Sequence, residues 1–212
     1  MHTFEKHNYP NLLQQINISS RDIQTVVAKY KLEFSKEKNQ EVEWGIKLPT
    51  FVDAFYNFIT DNQRIPSQQE FYQHYLLYNH LFFSNLNRPE LETGIKARVY
   101  RTYPSLIRDL HFNKYILEKL GNKCDVIYNI RLDVEEGIDL MIVTTKGNYG
   151  ICFFTKTRRA YIGRKAKEYR HTLFHNVSYV EMPLDLKGSI KAGDFFLYGE
   201  HEYRNLYITL SK

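Results

Sequence analysis

The sequence predicts an α+β protein, with a helical region over residues 1–87 and a mixed α/β domain over residues 88–212. Three features support this prediction. The first half carries apolar residues at helical spacing behind capping residues. After Gly121 the apolar residues form short runs rich in branched side chains, which is typical of strands. The tripeptide Lys146-Gly147-Asn148 is a hairpin turn signal between two of those runs.

The composition is that of an ordinary globular protein, because 43% of the 212 residues are hydrophobic and 25% are charged. It excludes wholesale disorder, collagen and coiled coil. No apolar run is long enough to predict a membrane span, and residues 1–6 do not resemble a signal peptide. The two separate cysteines, Cys124 and Cys152, indicate a reducing, cytoplasmic setting. The net charge of +5 and the 17 tyrosines favour a polyanionic partner.

Capping sequences mark two helix starts in the front half of the chain. Ser19 is a predicted N-cap with Asp22 three positions later, and Ser67 with Glu70 forms a second capping box. The polar residues 35–43 predict a loop. The first helix carries its apolar residues at Ile23, Val26, Val27, Tyr30 and Phe34. The second capped helix carries Phe71, Tyr72, Tyr75, Leu76 and Tyr78.

Residues 50–79 predict a helix, a turn over residues 61–66 and a second helix. One interpretation is a helix-turn-helix-like module that places its second helix in a DNA groove. The other is an αα-hairpin that only builds the core. The long turn and the aromatic second helix favour the hairpin.

Residues 92–120 predict a basic helical region that ends at Gly121-Asn122. We expect Pro104 to interrupt it, with Thr102 capping a helix that begins near Tyr103. Three arginines at spacings of three and seven are expected to share one side of this region: Arg98, Arg101 and Arg108.

The order of elements predicted after Gly121 is strand, strand, strand, helix, strand. The four strands are predicted over residues 125–131, 137–143, 149–155 and 177–182. A helix is predicted over residues 161–174. A loop over residues 183–193 and two short strands over residues 194–198 and 203–210 complete the chain.

A single acid lies within the second of these apolar runs. Asp139 is embedded in Gly137-Ile138-Asp139-Leu140-Met141, and a carboxylate inside a buried strand is costly unless it is paired or binds a metal. Lys156 follows the next strand at its polar end. An acid that binds Mg²⁺ beside a lysine that acts on water is suited to phosphodiester cleavage. The other interpretation is a paired acid near a strand end and a solvated lysine.

With these residues, the chain resembles the PD-(D/E)XK restriction-endonuclease-like superfamily over residues 92–179. The resemblance rests on the helix before Gly121, on Gly137-Ile138-Asp139, on Phe154-Thr155-Lys156 and on the basic segment from Tyr161. It implies a mixed sheet flanked by helices, with a site for Mg²⁺ or Mn²⁺ at one edge. The superfamily contains nucleases and also members that have lost catalysis.

One position departs from the superfamily pattern. The resemblance implies an acid two positions before the lysine, and this chain has Phe154 there, which cannot bind a metal. Either the second carboxylate has moved or the protein does not cut. The alternative carboxylates are Asp133, Glu135 and Glu136, just before Asp139, and Asp109 on the preceding helix.

A dense basic segment follows Lys156. Residues 155–171 contain seven basic residues against one acid, Glu168, so their excess of six exceeds the net charge of the whole chain. A local positive field of this size fits a nucleic-acid backbone, whereas the other interpretation is an ordinary solvated helix face. The proposed nucleic-acid-binding residues are Arg158, Arg159, Arg164, Lys165, Lys167 and Arg170, extended by Arg98, Arg101 and Arg108.

The sequence therefore favours a DNA-binding protein whose nuclease-like core cleaves phosphodiester bonds with Mg²⁺ or Mn²⁺. Lys156 and Asp139 are the expected catalytic residues, and Asp139, Asp133 and Glu136 the expected metal ligands. One alternative is an inactive nuclease-like subunit that binds nucleic acid, a protein partner or a second copy of itself. Another is a protein that holds a small anionic nucleotide at residues 155–158. We expect no membrane partner.

Overall fold

The structure, a computed structural model, describes residues 2–34, 36–156, 174–185 and 188–211. It confirms the α+β class, with a helical front half followed by a mixed four-stranded sheet and a two-stranded sheet. The α-helices in the described part of the chain are α1 Ser20–Val27, α2 Phe51–Asn62, α3 Gln68–Tyr78, α4 His80–Leu86, α5 Glu92–Leu120, α6 Ile130–Val134 and α7 Glu200–Ser211. Short helical turns lie at Lys6–Asn8, Leu12–Gln15, Glu41–Gly45 and Pro89–Leu91.

The larger sheet has the strand order β1-β2-β3-β4. The β1–β2 and β2–β3 pairs are antiparallel, and β4 runs parallel to β3. A separate antiparallel pair, β5 and β6, lies near the end of the chain. The strand bounds are β1 Asp125–Ile127, β2 Leu140–Thr144, β3 Gly147–Thr155, β4 Val177–Leu184, β5 Ile190–Ala192 and β6 Phe195–Leu197.

The predicted capping boxes are confirmed at α1 and α3. The Ser19 hydroxyl accepts from the Asp22 backbone N–H, and the Asp22 carboxylate accepts from the Ser19 backbone N–H. The same reciprocal bonds join Ser67 and Glu70. Helix α1 is shorter than predicted, because it ends at Val27 and the chain then turns away, with 76% of Phe34 exposed.

Helices α2 and α3 pack against each other through buried aromatic side chains. The rings of Phe55 and Phe71 pack edge to face at 5.5 Å, and Tyr72 and Tyr75 are also buried. A left-handed Gln63 ends α2 and lets the chain turn. The aromatic face of α3 therefore builds the core, which favours the αα-hairpin interpretation of this segment.

Helix α5 continues through Pro104, so the predicted interruption is wrong. A proline inside a helix leaves the carbonyl four residues earlier without its usual N–H partner. Here that carbonyl belongs to Tyr100, and the buried side chain of Gln68 donates to it at 3.0 Å. The hydroxyl of Thr102 donates back to the Arg98 carbonyl instead of capping a new helix.

Two predicted strands are corrected by the structure. The strand predicted over residues 125–131 ends at Ile127, because Asn129 caps the short helix α6 by accepting from the Arg131 N–H. The strand predicted over residues 203–210 is part of helix α7. The buried Glu202 carboxylate accepts from the Gly199 N–H at the start of α7, which stabilises a helical end there.

The four-stranded sheet separates two apolar clusters. The larger cluster lies on the side of α5 and contains Phe55, Phe71, Tyr103 and Leu140 among many others, so it joins the two parts of the chain proposed from the sequence. The smaller cluster contains Phe4 and Tyr9 from the N-terminal segment. The boundary near residue 87 stays a prediction. Across the described ranges, no helix combines the length and the apolar character needed to span a membrane.

Candidate nuclease-like site

Asp139 lies at a bend immediately before β2, and not inside the strand as expected from the sequence. Gly137 adopts a left-handed φ of 68°, which turns the chain into this bend. The Asp139 backbone N–H donates to the Ile151 carbonyl at 2.9 Å. Its carboxylate Oδ2 accepts from the Phe153 backbone N–H at 2.6 Å. The partly buried carboxylate is therefore fixed against the edge of β3 by a charge-assisted hydrogen bond.

Lys156 follows the last residue of β3 and is exposed. Because Asp139 contacts Phe153, the acid and the lysine lie at the same end of β3, as the sequence predicts. Thr155 stands between them along the strand, with its hydroxyl 3.5 Å from the hydroxyl of Tyr198. Phe154 occupies the position where the resemblance implies an acid, and it is partly buried.

A second acid, Asp133, lies in α6 and is held by aromatic residues. The hydroxyl of Tyr128 donates to Asp133 Oδ2 at 2.9 Å. The Tyr128 ring stacks on the ring of Tyr56, with centroids 4.4 Å apart. Both tyrosines are buried. Burial, followed by nearby groups that include Asp133, raises the pKa of each hydroxyl well above its usual value.

Asp109 on α5 interacts electrostatically with Asp133 and Tyr56. We call these three residues, with Tyr128 and Asn113, the polar cluster. The pKa of the Asp109 carboxyl is raised to about 7, chiefly by burial and in smaller part by the negative charge of Asp133, whereas Arg108 opposes the shift. The negative charge of Asp109 also contributes to the raised pKa of Tyr56. Asp109 and Asp133 therefore interact electrostatically, although they come from different helices.

The other two acids proposed as metal ligands contact different groups. Glu135, the residue that follows α6, pairs with Arg131 at 3.4 Å. Glu136 is buried, and its Oε1 lies 3.4 Å from His2 Nε2 of the N-terminal segment. The charge of Glu136 raises the pKa of Tyr9, after the larger effect of burial. Glu136 thus faces the N-terminal segment, on the side of the smaller apolar cluster.

The three arginines of α5 contact two separate parts of the protein. Arg98 donates to the Val42 carbonyl, and Arg101 pairs with Glu43 and donates to the Glu37 carbonyl. Arg108 instead donates to the Phe196 carbonyl at 2.9 Å, and its guanidinium lies 5.4 Å from the centroid of the Tyr198 ring. These contacts join α5 to residues 37–43 and to β6, so the arginines have structural roles there.

The remaining basic residues of the proposed interface lie outside the described residues. So does the helix predicted over residues 161–174, apart from its last residue, and so do two of the four residues proposed to hold a nucleotide, Thr157 and Arg158. The cations concerned are Arg158, Arg159, Arg164, Lys165, Lys167 and Arg170.

The described residues do not form the metal site that the resemblance implies. Among them, no three His, Cys, Asp or Glu side chains come together in a way that could hold a metal ion. The replacement of an acid by Phe154 removes one expected ligand, and Glu136 contacts His2. We therefore derive no catalytic step through a metal held by acids alone.

The sequence analysis did not identify Asn113, a neutral residue of the polar cluster. Asn113 is 1% exposed, and its Nδ2 donates to the Asp139 carbonyl at 3.5 Å. It forms part of the surroundings of the Tyr56 hydroxyl. The available signal was a polar residue between Leu110 and Leu117, at the spacing of the buried face of α5.

Comparison with protein-family models, with curated proteins and with solved structures finds no match for this chain.

Proposed function

We propose that this protein binds DNA through a nuclease-like core. The observation that carries the proposal is the sheet: the long helix α5 is followed by three antiparallel strands and then by β4, parallel to β3. Asp139 and Lys156 lie together at the end of β3. The resemblance implies a mixed sheet flanked by helices, and a mixed sheet that follows a long helix supports the proposal.

The charge distribution of the chain supports a phosphate-containing partner. Two parallel strands require a crossover connection, and the connection from β3 to β4 begins at Lys156 and contains the basic segment. Its excess of six positive charges follows directly on the end of β3. Phosphate contacts by lysine and arginine supply most of the sequence-independent affinity for DNA.

A salt titration of DNA binding tests the proposal. We expect the anisotropy of a labelled duplex to report binding whose affinity falls steeply with salt, by about one unit of log–log slope for each phosphate contacted. Arg158→Ala combined with Arg159→Ala should reduce both the affinity and the slope. Binding that is absent, or that does not depend on salt, would overturn the proposal.

A matched pair of lysines tests the position of the interface. Lys156 follows β3, whereas Lys146 lies in the turn before β3 and donates to the Ser211 carbonyl at 3.3 Å. Lys156→Ala should reduce the salt slope by about one, and Lys146→Ala should leave it unchanged. Equal effects of the two substitutions would show that the end of β3 is not the binding face.

The second candidate function is metal-dependent phosphodiester cleavage. It is favoured by Lys156 and Asp139 at one end of β3 and by Asp133 and Asp109 in a neighbouring polar cluster. Plasmid and single-stranded DNA incubated with Mg²⁺ or Mn²⁺ test it. Cleavage that Asp139→Asn abolishes, and that the exposed-residue control Asp125→Asn retains, supports an enzyme. Salt-sensitive binding without cleavage supports the inactive DNA-binding form.

A further inference from the structure

An apolar surface is exposed where α3 meets α4. None of the seven residues of α4 is buried, although four of them are large and apolar: Leu81, Phe82, Phe83 and Leu86. Leu81 is 69% exposed, and Leu77 and Tyr78 at the end of α3 are 71% and 46% exposed. An apolar helix face normally packs against another element. The described residues leave this one uncovered.

Helical hydrogen bonds continue across the join between α3 and α4. Asn79, at the join, has a φ of −105° and a ψ of 28°, so the helix axis bends there. The Asn79 N–H still donates to the Tyr75 carbonyl, and the Phe83 N–H to the Asn79 carbonyl, each at 3.2 Å. The rings of Tyr75 and Phe83 pack edge to face at 5.5 Å. The helical spacing of side chains therefore continues from α3 into α4.

Four apolar side chains consequently share one surface. Residues four apart are neighbours on a helix, so Leu77 lies beside Leu81 and Tyr78 lies beside Phe82. We call these four residues the α3–α4 face. Single exposed apolar side chains are ordinary on soluble proteins, whereas a contiguous group of them marks an interaction site.

The charge pattern indicates what covers the α3–α4 face. Residues 71–87 contain no Asp, Glu, Lys or Arg, in a chain of which 25% is charged. The charges at the two borders of this stretch are paired within the chain, Glu70 with Arg64 at 2.7 Å and Arg88 with Glu41 at 3.0 Å. The face therefore carries no permanent charge and is bordered by ion pairs.

We propose that the α3–α4 face is the interface with a second copy of this chain, related by a two-fold axis. A two-fold contact sets a surface against itself, so any charge near the axis would meet the same charge. A face without charges avoids this repulsion, although the whole chain has a net charge of +5. The cores of homodimer interfaces are likewise apolar and poor in charged residues. Complementary charges commonly select a different protein as partner, and this face has none.

The polar residues around the face suit a contact with an identical surface. Gln73 on α3 and both Ser84 and Asn85 on α4 are exposed. Hydroxyl and amide groups both donate and accept hydrogen bonds. Each can therefore pair with the same group of the second copy, which a carboxylate or an ammonium group cannot do.

The mass of the protein in solution tests the proposal, which does not rest on DNA binding. Full-length protein freed of nucleic acid should approach the mass of two chains as its concentration rises, measured by light scattering. Because the contact is apolar, added salt should leave the dimer intact or strengthen it. DNA binding should weaken under the same salt, so the two proposals can fail separately.

Opposite charges placed at one position test the two-fold arrangement. Leu81→Glu and Leu81→Lys should each raise the dissociation constant of the dimer at least about tenfold, because like charges then meet. An equimolar mixture of the two variants should recover the dimer, because opposite charges then meet. Ile208→Glu, at a 56% exposed residue of α7, should leave the mass unchanged. Circular dichroism checks that each variant is folded.

Three results would overturn the proposal: a wild-type protein that stays monomeric, a folded Leu81→Glu that dimerises as the wild type does, or a mixture of the two Leu81 variants that stays monomeric. A monomeric wild-type protein that sediments with neutral phosphatidylcholine vesicles, and loses this binding in Leu81→Glu, would assign the face to a lipid surface. A monomeric protein that binds no vesicles would leave a different protein as the occupant.

Discussion

The carboxylate of Asp139 accepts a 2.6 Å hydrogen bond from the backbone N–H of Phe153. The ladder between β2 and β3 ends at the pair Leu140 and Ile151. The bond from Phe153 to Asp139 therefore continues the contact between the two strands beyond the end of the ladder. It satisfies an N–H of β3 and holds an acid at the end of the strand that Lys156 follows. Asp139 therefore has a structural role as well as a proposed functional one. For this reason Asp139→Asn, which keeps an acceptor, tests function better than alanine.

Removal of the Asn11 side chain should destabilise the edge of the sheet. Its Nδ2 donates to the Val126 carbonyl at 2.7 Å, and its Oδ1 accepts from the N–H groups of Tyr128 and Leu13. At roughly 1 kcal/mol for each net hydrogen bond, Asn11→Ala should lower the free energy of unfolding by about 2–3 kcal/mol. Urea unfolding measures this. Asn8→Ala, at an exposed neighbour, should change it by less than about 0.5 kcal/mol.

His111 should make the protein less stable as the pH falls. Burial lowers the pKa of His111 from 6.5 to about 4, against an opposing effect of Glu118. The unfolded state therefore binds more protons between these two values, and stability is lost as the pH decreases through this window. The loss attributable to His111 is on the order of 3 kcal/mol.

Unfolding experiments with the variant His111→Gln, between pH 7 and pH 4, measure this contribution. The variant should show a shallower pH dependence than the wild type, and His80→Gln, at an exposed residue, should not. Identical curves for His111→Gln and the wild type would contradict the prediction.

Asp109 should have the opposite pH dependence. Burial raises the pKa of this carboxyl from 3.8 to about 7, so the folded state binds more protons in that window and stability is lost as the pH rises through it. In a chelating buffer at pH 8, Asp109→Asn should therefore raise the free energy of unfolding by about 4 kcal/mol. At pH 4 the difference should nearly vanish. If Asp109→Asn is less stable than the wild type at pH 8, a favourable interaction offsets the cost of burying the charged Asp109 carboxylate, and the prediction is wrong.

Gly193 should not tolerate a side chain. Its φ is 59°, and a Cβ there would lie 2.7 Å from the Ala28 carbonyl oxygen, a backbone atom that cannot easily move. Gly193→Ala should lower the free energy of unfolding by about 2 kcal/mol or more. The matched substitution is Gly188→Ala, where the nearest atoms are 3.9 Å from the added carbon. Thermal unfolding compares the two, and similar midpoints would contradict this assignment.

Local signals account for the parts of the fold that were predicted correctly. The capping boxes at Ser19 and Ser67 involve residues three positions apart, and the β2–β3 hairpin turns at a signal of adjacent residues. The positions of Asp139 and Lys156 at one end of β3 follow from that hairpin. The α+β class could also be predicted, because the periodicity of apolar residues is a local signal.

The errors arise where a distant residue decides the outcome. Helix α5 continues through Pro104, and the Tyr100 carbonyl that the proline leaves without an N–H partner accepts a hydrogen bond from Gln68 instead. Gln68 lies 32 residues before Tyr100 in the sequence. The charge of Asp133 acts on Asp109 although the two acids lie on helices separated by β1, which no spacing rule predicts.

The sequence by itself thus determined the fold class, the helix starts, the hairpin and the position of an acid and a lysine at the same end of β3. These depend on bonds between residues close along the chain. Only the tertiary structure decided that Pro104 leaves α5 intact, that residues 203–210 are helical, and that the charge of Asp133 acts on Asp109. Those outcomes depend on burial and on partners far along the chain, and burial sets the cost of every unpaired polar group.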